Sequence, residues 1–305
     1  MIDILLLTGF LGAGKTTLLQ RLLEHSGEHR IGVIVNDFGT VNVDAQLVRK
    51  DGIAMLELSN GSIFCACIQD KFVTGLIEMS GKALDYLFIE ASGLSDPANM
   101  ETLLEGIRPR MAQPMRLYAS VCIVDAEYFL DLVDVLPALE RQARYADTLI
   151  VNKSDLAAPA LLEETSRKLR QINPDAGIHF TSFCRIDPGE LLTELKRAVH
   201  VPEESTNTVA SRPGGYTLRC TAPLPLEGLE AFLRAIAPDT YRIKGFALTD
   251  QGPKAVSAVV ERIQITDWPE PLAGTELVVI SSVGIRLVSR MLEASGRYLD
   301  GMLKL

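Results

Sequence analysis

Ile4-Leu5-Leu6-Leu7-Thr8-Gly9-Phe10-Leu11-Gly12-Ala13-Gly14-Lys15-Thr16-Thr17 is the stretch that decides the architecture of this chain. Its opening, Ile4–Leu7, is short and apolar and reads as a buried strand. From Gly9 to Thr16 it fits G-x-x-x-x-G-K-[ST], and an amphipathic helix is expected over Thr16–His25. A loop of this kind wraps a phosphate chain in backbone N–H groups, so side chains are unwelcome and glycines take the positive φ angles. The helix that follows adds its N-terminal dipole. Gly9, Gly12, Ala13, Gly14 and Thr17 are expected to form the cradle. Lys15 is expected to reach the β- and γ-phosphates and the Thr16 hydroxyl to ligate Mg²⁺.

Outward from this loop, short apolar runs recur at Ile31–Val35, Ala54–Leu58, Tyr86–Ile89, Val121–Val124 and Thr148–Val151. Helical patterns lie between them at Lys71–Lys82, Ala126–Asp134 and Pro159–Gln171. This alternation predicts an α/β fold, a doubly wound, mainly parallel sheet with helices on both faces. Residues 201–215, rich in Pro, Glu, Ser, Thr and Gly, lack apolar periodicity and read as a linker. The expected domains are therefore 1–200, the phosphate-binding unit, and 216–305, a smaller α+β domain. In the latter, strands are expected at Tyr216–Thr221, Tyr241–Leu248, Val256–Ile265 and Leu277–Ser281, with helices at Leu226–Ile236 and Ile285–Ser295.

Of the 305 residues, 47% are hydrophobic and 23% charged, ordinary for a globular chain with a real core. The net charge of −9 argues against nucleic acid or an anionic membrane as the main partner. No apolar window is long enough to span a bilayer, and no basic segment or cleavage site opens the chain. The five cysteines are odd in number and scattered, which suits the reducing cytoplasm better than a disulfide framework.

Asn152-Lys153-Ser154-Asp155 directly follows a strand and has the form N-K-x-D, which resembles the guanine-recognition signature of P-loop GTPases. A carboxylate accepts two hydrogen bonds from guanine N1–H and the exocyclic amine, a donor pair that adenine lacks. Asp155 is expected in that role, with Asn152 bracing the loop and the Lys153 stem covering the base. Ser182, Phe183 and Cys184, after the strand Gly177–Phe180, are expected to close over guanine. Phe88-Ile89-Glu90-Ala91-Ser92-Gly93 ends a strand in an acid. Glu90 is expected to orient the Mg²⁺ shell or the attacking water, and the Gly93 amide to sense the γ-phosphate. A kinase acting on a small molecule is disfavoured by the guanine motif.

Gly9–Thr17, Asn36-Asp37-Phe38-Gly39, Glu57-Leu58-Ser59-Asn60-Gly61, Glu90–Gly93, Asp96-Pro97, Val124-Asp125-Ala126, Asn152–Asp155 and Arg242-Ile243-Lys244-Gly245-Phe246 occur in that order. Together they make the chain resemble the CobW-like GTPases, relatives of the nickel-enzyme maturation GTPases HypB and UreG. The resemblance implies a GTPase that couples GTP hydrolysis to delivery of Zn²⁺, Co²⁺ or a similar ion to a client metalloprotein. Lys15, Glu90 and Asp37 are then the catalytic residues. Since no arginine finger lies in the motifs, turnover is expected to be slow and to be accelerated by a partner or a homodimer.

The chain departs from the family pattern at the cysteine motif. Where the family has Asn-Gly-Cys-x-Cys-Cys, this sequence reads Asn60-Gly61-Ser62-Ile63-Phe64-Cys65-Ala66-Cys67. Cys65 and Cys67 present two thiolates to one ion if the backbone is extended, and Asp37 is a third ligand for Zn²⁺ or Co²⁺. The alternative is that these cysteines pack in a loop or act as redox-sensitive thiols. The chain would then be a GTP-gated docking or reactivation factor for a metallo- or corrinoid protein, with no metal site of its own.

Overall fold

In a computed structural model, residues 1–25, 29–37, 54–59, 66–195, 214–259 and 261–305 are described. The chain divides into two compact units, Met1–Ser211 and Arg212–Leu305.

The first unit is a seven-stranded sheet. Its strands are β1 (Ile2–Gly9), β2 (Ile31–Asp37), β3 (Ala54–Ser59), β4 (Tyr86–Glu90), β5 (Met115–Asp125), β6 (Thr148–Asn152) and β7 (Gly177–Phe180). They lie in the order β3-β2-β4-β1-β5-β6-β7, every pair parallel. Strand β1 shows why the fold needs cover on both faces. Leu5 and Leu7 join one core with Leu18 and Leu22, whereas Ile4 and Leu6 join another with Phe72, Leu76 and Met100. Alternate residues thus point into two separate cores, and the strand reads as an unbroken apolar run.

The helices supplying that cover are α1 (Lys15–Glu24), α2 (Ala66–Ser80), α3 (Met100–Ile107), α4 (Phe129–Val133), α5 (Pro137–Arg144), α6 (Pro159–Ile172) and α7 (Pro188–Glu194). The pattern over Ala126–Asp134 contracts to the single turn of α4, and the one expected from Lys71 starts at Ala66. Helices α3, α5 and α7, each of about two turns, add to the helices expected from the sequence. Their starts carry local chemistry: Pro137 opens α5, and Asp187 caps α7 by accepting from Glu190 N at 2.8 Å, with Pro188 in the first turn.

The second unit has β8 (Gly215–Cys220), α8 (Leu226–Ile236), β9 (Thr240–Thr249), β10 (Gly252–Val259), β11 (Arg262–Asp267), β12 (Thr275–Ser281) and α9 (Arg286–Tyr298). The sheet is antiparallel, in the order β11-β10-β9-β12-β8. Leu229, Phe232, Leu233, Leu287 and Met291 of the two helices share a core with Ile243, Ala247, Val256, Leu277 and Val279 of the sheet. The expected single strand Val256–Ile265 is a hairpin, with Val259 opposite Arg262. No Gly, Pro or Asn marks that turn, so β-propensity runs through it unbroken.

Candidate functional site

The carboxyl ends of the central strands converge. Gly9, Asp37, Glu90, Asp125 and Asn152 each end a strand, and the parallel register sets Leu7 beside Glu90 and Asp125 beside Asn152. A crevice at this edge, where the chain order reverses across β1, is where open α/β sheets bind ligands.

The loop after β1 is a preformed cradle. Gly12 and Gly14 have φ of 74° and 118°, and Gly14 is the N-cap of α1. A Cβ on Gly14 would lie 2.5 Å from Asn152 Nδ2 and 3.1 Å from Cys184 Sγ, so both its conformation and its surroundings require glycine. Lys15, 6% exposed, donates from Nζ to Gly9 O at 2.9 Å and Phe10 O at 3.0 Å. Its ammonium is therefore held across the concave side of the loop. Thr16 Oγ1 donates to Glu90 Oε1 at 2.8 Å, and Glu90 is 6% exposed. A buried carboxylate and a hydroxyl in contact are hard oxygen donors of the kind Mg²⁺ takes. Gly93 lies against the same loop, since a Cβ there would meet Leu11 N at 2.5 Å.

Asn152 joins this cradle to the N-K-x-D loop. Buried at the end of β6, it donates from Nδ2 to Ala13 O at 2.7 Å and accepts from Cys184 N at 2.8 Å on Oδ1. Cys184, fully buried, also donates from Sγ to Gly14 O at 3.4 Å. Burial pushes both this thiol and that of Cys122 up to about 12. Ser154 N donates to Thr181 O at 3.1 Å, tying the N-K-x-D loop to the loop after β7. Asp155 is exposed at the rim, Ser182 is half-buried, and Thr17 lies half-buried in the first turn of α1.

Lys153, Phe183 and Cys184 have positive φ, of 62°, 54° and 51°. Among the described residues Asp300 is the only other non-glycine to do so. Left-handed backbone costs about 1–2 kcal/mol per residue, and its concentration here marks geometry imposed by the surrounding contacts.

Several residues in the site had no assigned role in the sequence. Asp125 forms an ion pair with Lys153, fixing the stem expected to cover the base. An acid ending a strand, like Glu90, was the available signal. Arg21 Nε donates to Phe183 O at 2.9 Å, and the Arg185 guanidinium lies 5.7 Å from the centre of the exposed Phe183 ring. Gln142 Nε2 donates to Gly93 O at 3.3 Å and Ser95 O at 2.7 Å. Its signal was a polar residue on the buried stripe Leu139–Gln142–Ala143 of α5.

Cys65 lies outside the described residues, as do the side chains of Asp37 and Cys67. Among the described residues, no group of three or more His, Cys, Asp or Glu is placed to hold a metal ion.

Residues 3–180 match the profile described as CobW/HypB/UreG, nucleotide-binding domain, and residues 214–294 match the cobalamin synthesis protein CobW C-terminal domain. The chain belongs to the CobW/HypB/UreG family. It is 28% identical over 292 residues to the zinc chaperone YjiA of Escherichia coli, covering 88% of this chain and 89% of that protein. It is 30% identical to the zinc-regulated GTPase metalloprotein activator 1 of Dictyostelium discoideum, covering 82% of this chain and 63% of that protein. Among solved structures, Zn(II)-bound YjiA GTPase from E. coli aligns at 22% identity with a TM-score of 0.48, over 97% of this chain and 98% of that one. The family is thus one of GTP-binding P-loop GTPases that includes zinc chaperones. No described helix is long and apolar enough to cross a membrane.

Proposed function

We propose that this protein hydrolyses GTP to GDP and phosphate and uses the cycle to deliver a metal ion to a client metalloprotein. The observation that carries the reading is the Asn152 side chain, which bonds the phosphate cradle to the loop bearing Asp155. Phosphate recognition and guanine recognition are thereby built as one rigid unit.

In this reading Asp155 accepts the guanine N1–H and amine, and Lys153, held by Asp125, covers the base. Ser182, Phe183 and Cys184 form the closing loop. The amides of Gly12–Thr17 and the Lys15 ammonium bind the phosphates. Thr16 would ligate Mg²⁺ and Glu90 would orient its shell, and the ion would neutralise charge developing on the phosphate oxygens. Glu90 also orients the attacking water, Asp37 is the second acid, and Gly93 senses the γ-phosphate. Turnover is slow until a partner, such as a client or a second copy of the chain, engages. Residues 1–200 are the nucleotide domain, and 216–305, joined through 201–215, meet the client in the cytoplasm.

Zinc is the cargo that the names of the relatives favour, with cobalt the alternative, and Cys65, Cys67 and Asp37 are its ligands. A second reading, GTP-gated docking on a metallo- or corrinoid protein without a metal site, is favoured by Ser62 and Phe64 standing where the family has cysteines. Equilibrium binding of Zn²⁺ and Co²⁺ to the reduced protein, with and without GTP–Mg²⁺, separates the two. One-to-one, nucleotide-dependent binding that Cys65→Ser and Cys67→Ser both abolish supports the chaperone. Intact GTP binding without specific metal uptake refutes it and leaves the docking factor.

A further inference from the structure

The loop after Glu90 is buried in an unusual way. Every residue from Ala91 to Ala98 is buried, although the segment is neither helix nor strand. Buried loops are rare because their backbone polar groups need partners. Part of the need is met within the loop, where Ser95 N donates to Ser92 O at 3.0 Å and Ala98 N to Asp96 Oδ1 at 3.1 Å. Ala91 N donates to Leu7 O of β1 at 2.9 Å, and two consecutive residues of α5 hold the middle of the loop. Gln142, 1% exposed, gives its amide nitrogen to Gly93 O and Ser95 O. Arg141 pairs through Nε with Asp96 Oδ2 at 2.7 Å, and Asp96 is fully buried.

Helix α5 is a firm anchor. The two N–H groups of Asn173 Nδ2 are shared among Ala143 O and Arg144 O at the C-terminal end of α5 and Ala146 O just beyond, at 2.9, 3.0 and 2.8 Å. On the other side, Gly93 is in contact with Leu11 of the phosphate loop. Gly93 is therefore gripped between the cradle and α5. A primary amide puts two N–H donors on one nitrogen, which suits two nearby carbonyls, and a carboxylate of the same shape offers neither.

We propose that Gln142, with Arg141 beside it, is a positioning residue for γ-phosphate recognition. It fixes Gly93 at the cradle so that its amide meets the γ-phosphate, and it passes any displacement of the loop to α5. This rests on the GTPase reading above. The pair touches neither phosphate nor base, so its loss weakens what distinguishes GTP from GDP and spares what the two nucleotides share.

The test compares wild type, Gln142→Glu and Arg141→Gln for affinity toward GDP and a non-hydrolysable GTP analogue, together with kcat and KM for GTP. Gln142→Glu is expected to lower analogue affinity at least tenfold while GDP affinity stays within about twofold, and to reduce kcat. Arg141→Gln, which leaves both carbonyls their donor, is expected to shift the same ratio about threefold. Equal weakening of both nucleotides, or no change in either, overturns the proposal. If Gln142→Glu does not fold, the ratio for Arg141→Gln decides. Wild-type protein that binds neither nucleotide overturns the GTPase reading itself, a result distinct from a fixed ratio.

Discussion

Replacing Asn152 by alanine removes a side chain bonded both to the phosphate cradle and to the loop after β7. Asn152 is 3% exposed, and its amide meets Ala13 O at 2.7 Å and Cys184 N at 2.8 Å. The truncation costs Ala13 O its Asn152 donor and Cys184 N its acceptor, with little access to solvent. A buried group deprived of its partner costs about 1–3 kcal/mol, so the pair amounts to roughly 2–6 kcal/mol. At roughly 2–4 °C per kcal/mol for a unit of this size, the midpoint falls by on the order of 10 °C. Cys184→Ala is the control for packing. It removes only the Sγ contact to Gly14 O and keeps the Cys184 amide, so its cost is expected to be several-fold smaller. Thermal unfolding of the three proteins, with and without saturating GDP–Mg²⁺, measures the difference. GDP is expected to rescue Asn152→Ala less than wild type, because two hydrogen bonds that tie the cradle to the loop after β7 are gone and the weaker one from Cys184 Sγ to Gly14 O is left. Equal losses for the two variants, or an Asn152→Ala stability within about 0.5 kcal/mol of wild type, the range typical of surface substitutions, would refute the idea that this amide unites the site.

Glu90→Gln keeps the shape and the acceptor for Thr16 but removes the charge; GTP hydrolysis is expected to fall by on the order of 10²-fold with GDP affinity retained, and wild-type turnover would remove Glu90 from the chemistry. Gly93→Ala sets a methyl group 2.5 Å from Leu11 N; overpacking of this kind costs about 1–3 kcal/mol, so an unchanged melting midpoint would show that the contact is not tight. Burial raises the Cys122 and Cys184 thiols from 9.0 to about 12, so their contribution to stability is complete below about pH 8.5 and is lost as pH rises toward 12. Alkylation of the native protein at pH 8.5 should therefore modify half-buried Cys220 and spare both, as read by mass spectrometry of the digest; Cys184 labelling at the Cys220 rate contradicts the burial.

The amino-acid sequence by itself determined the sheet and the cradle. Both depend on local rules: β1 must be apolar on both faces, and Gly14 must accept a positive φ beside Lys15 and Thr16. Such signals lie within a few consecutive residues and survive without knowledge of the rest of the chain. Short helices such as α3 and α5 did not show themselves, because a single turn or two carries little periodicity. The hairpin of β10 and β11 was hidden because its turn lacks the usual residues. Tertiary structure alone decided which distant groups complete the site. Asn152 meets Ala13 across 139 positions, and Gln142 meets Gly93 across 49. No spacing rule predicts those pairs. They exist because parallel strands bring their carboxyl ends to one edge and because buried backbone groups there must be satisfied by whichever side chain the packing delivers.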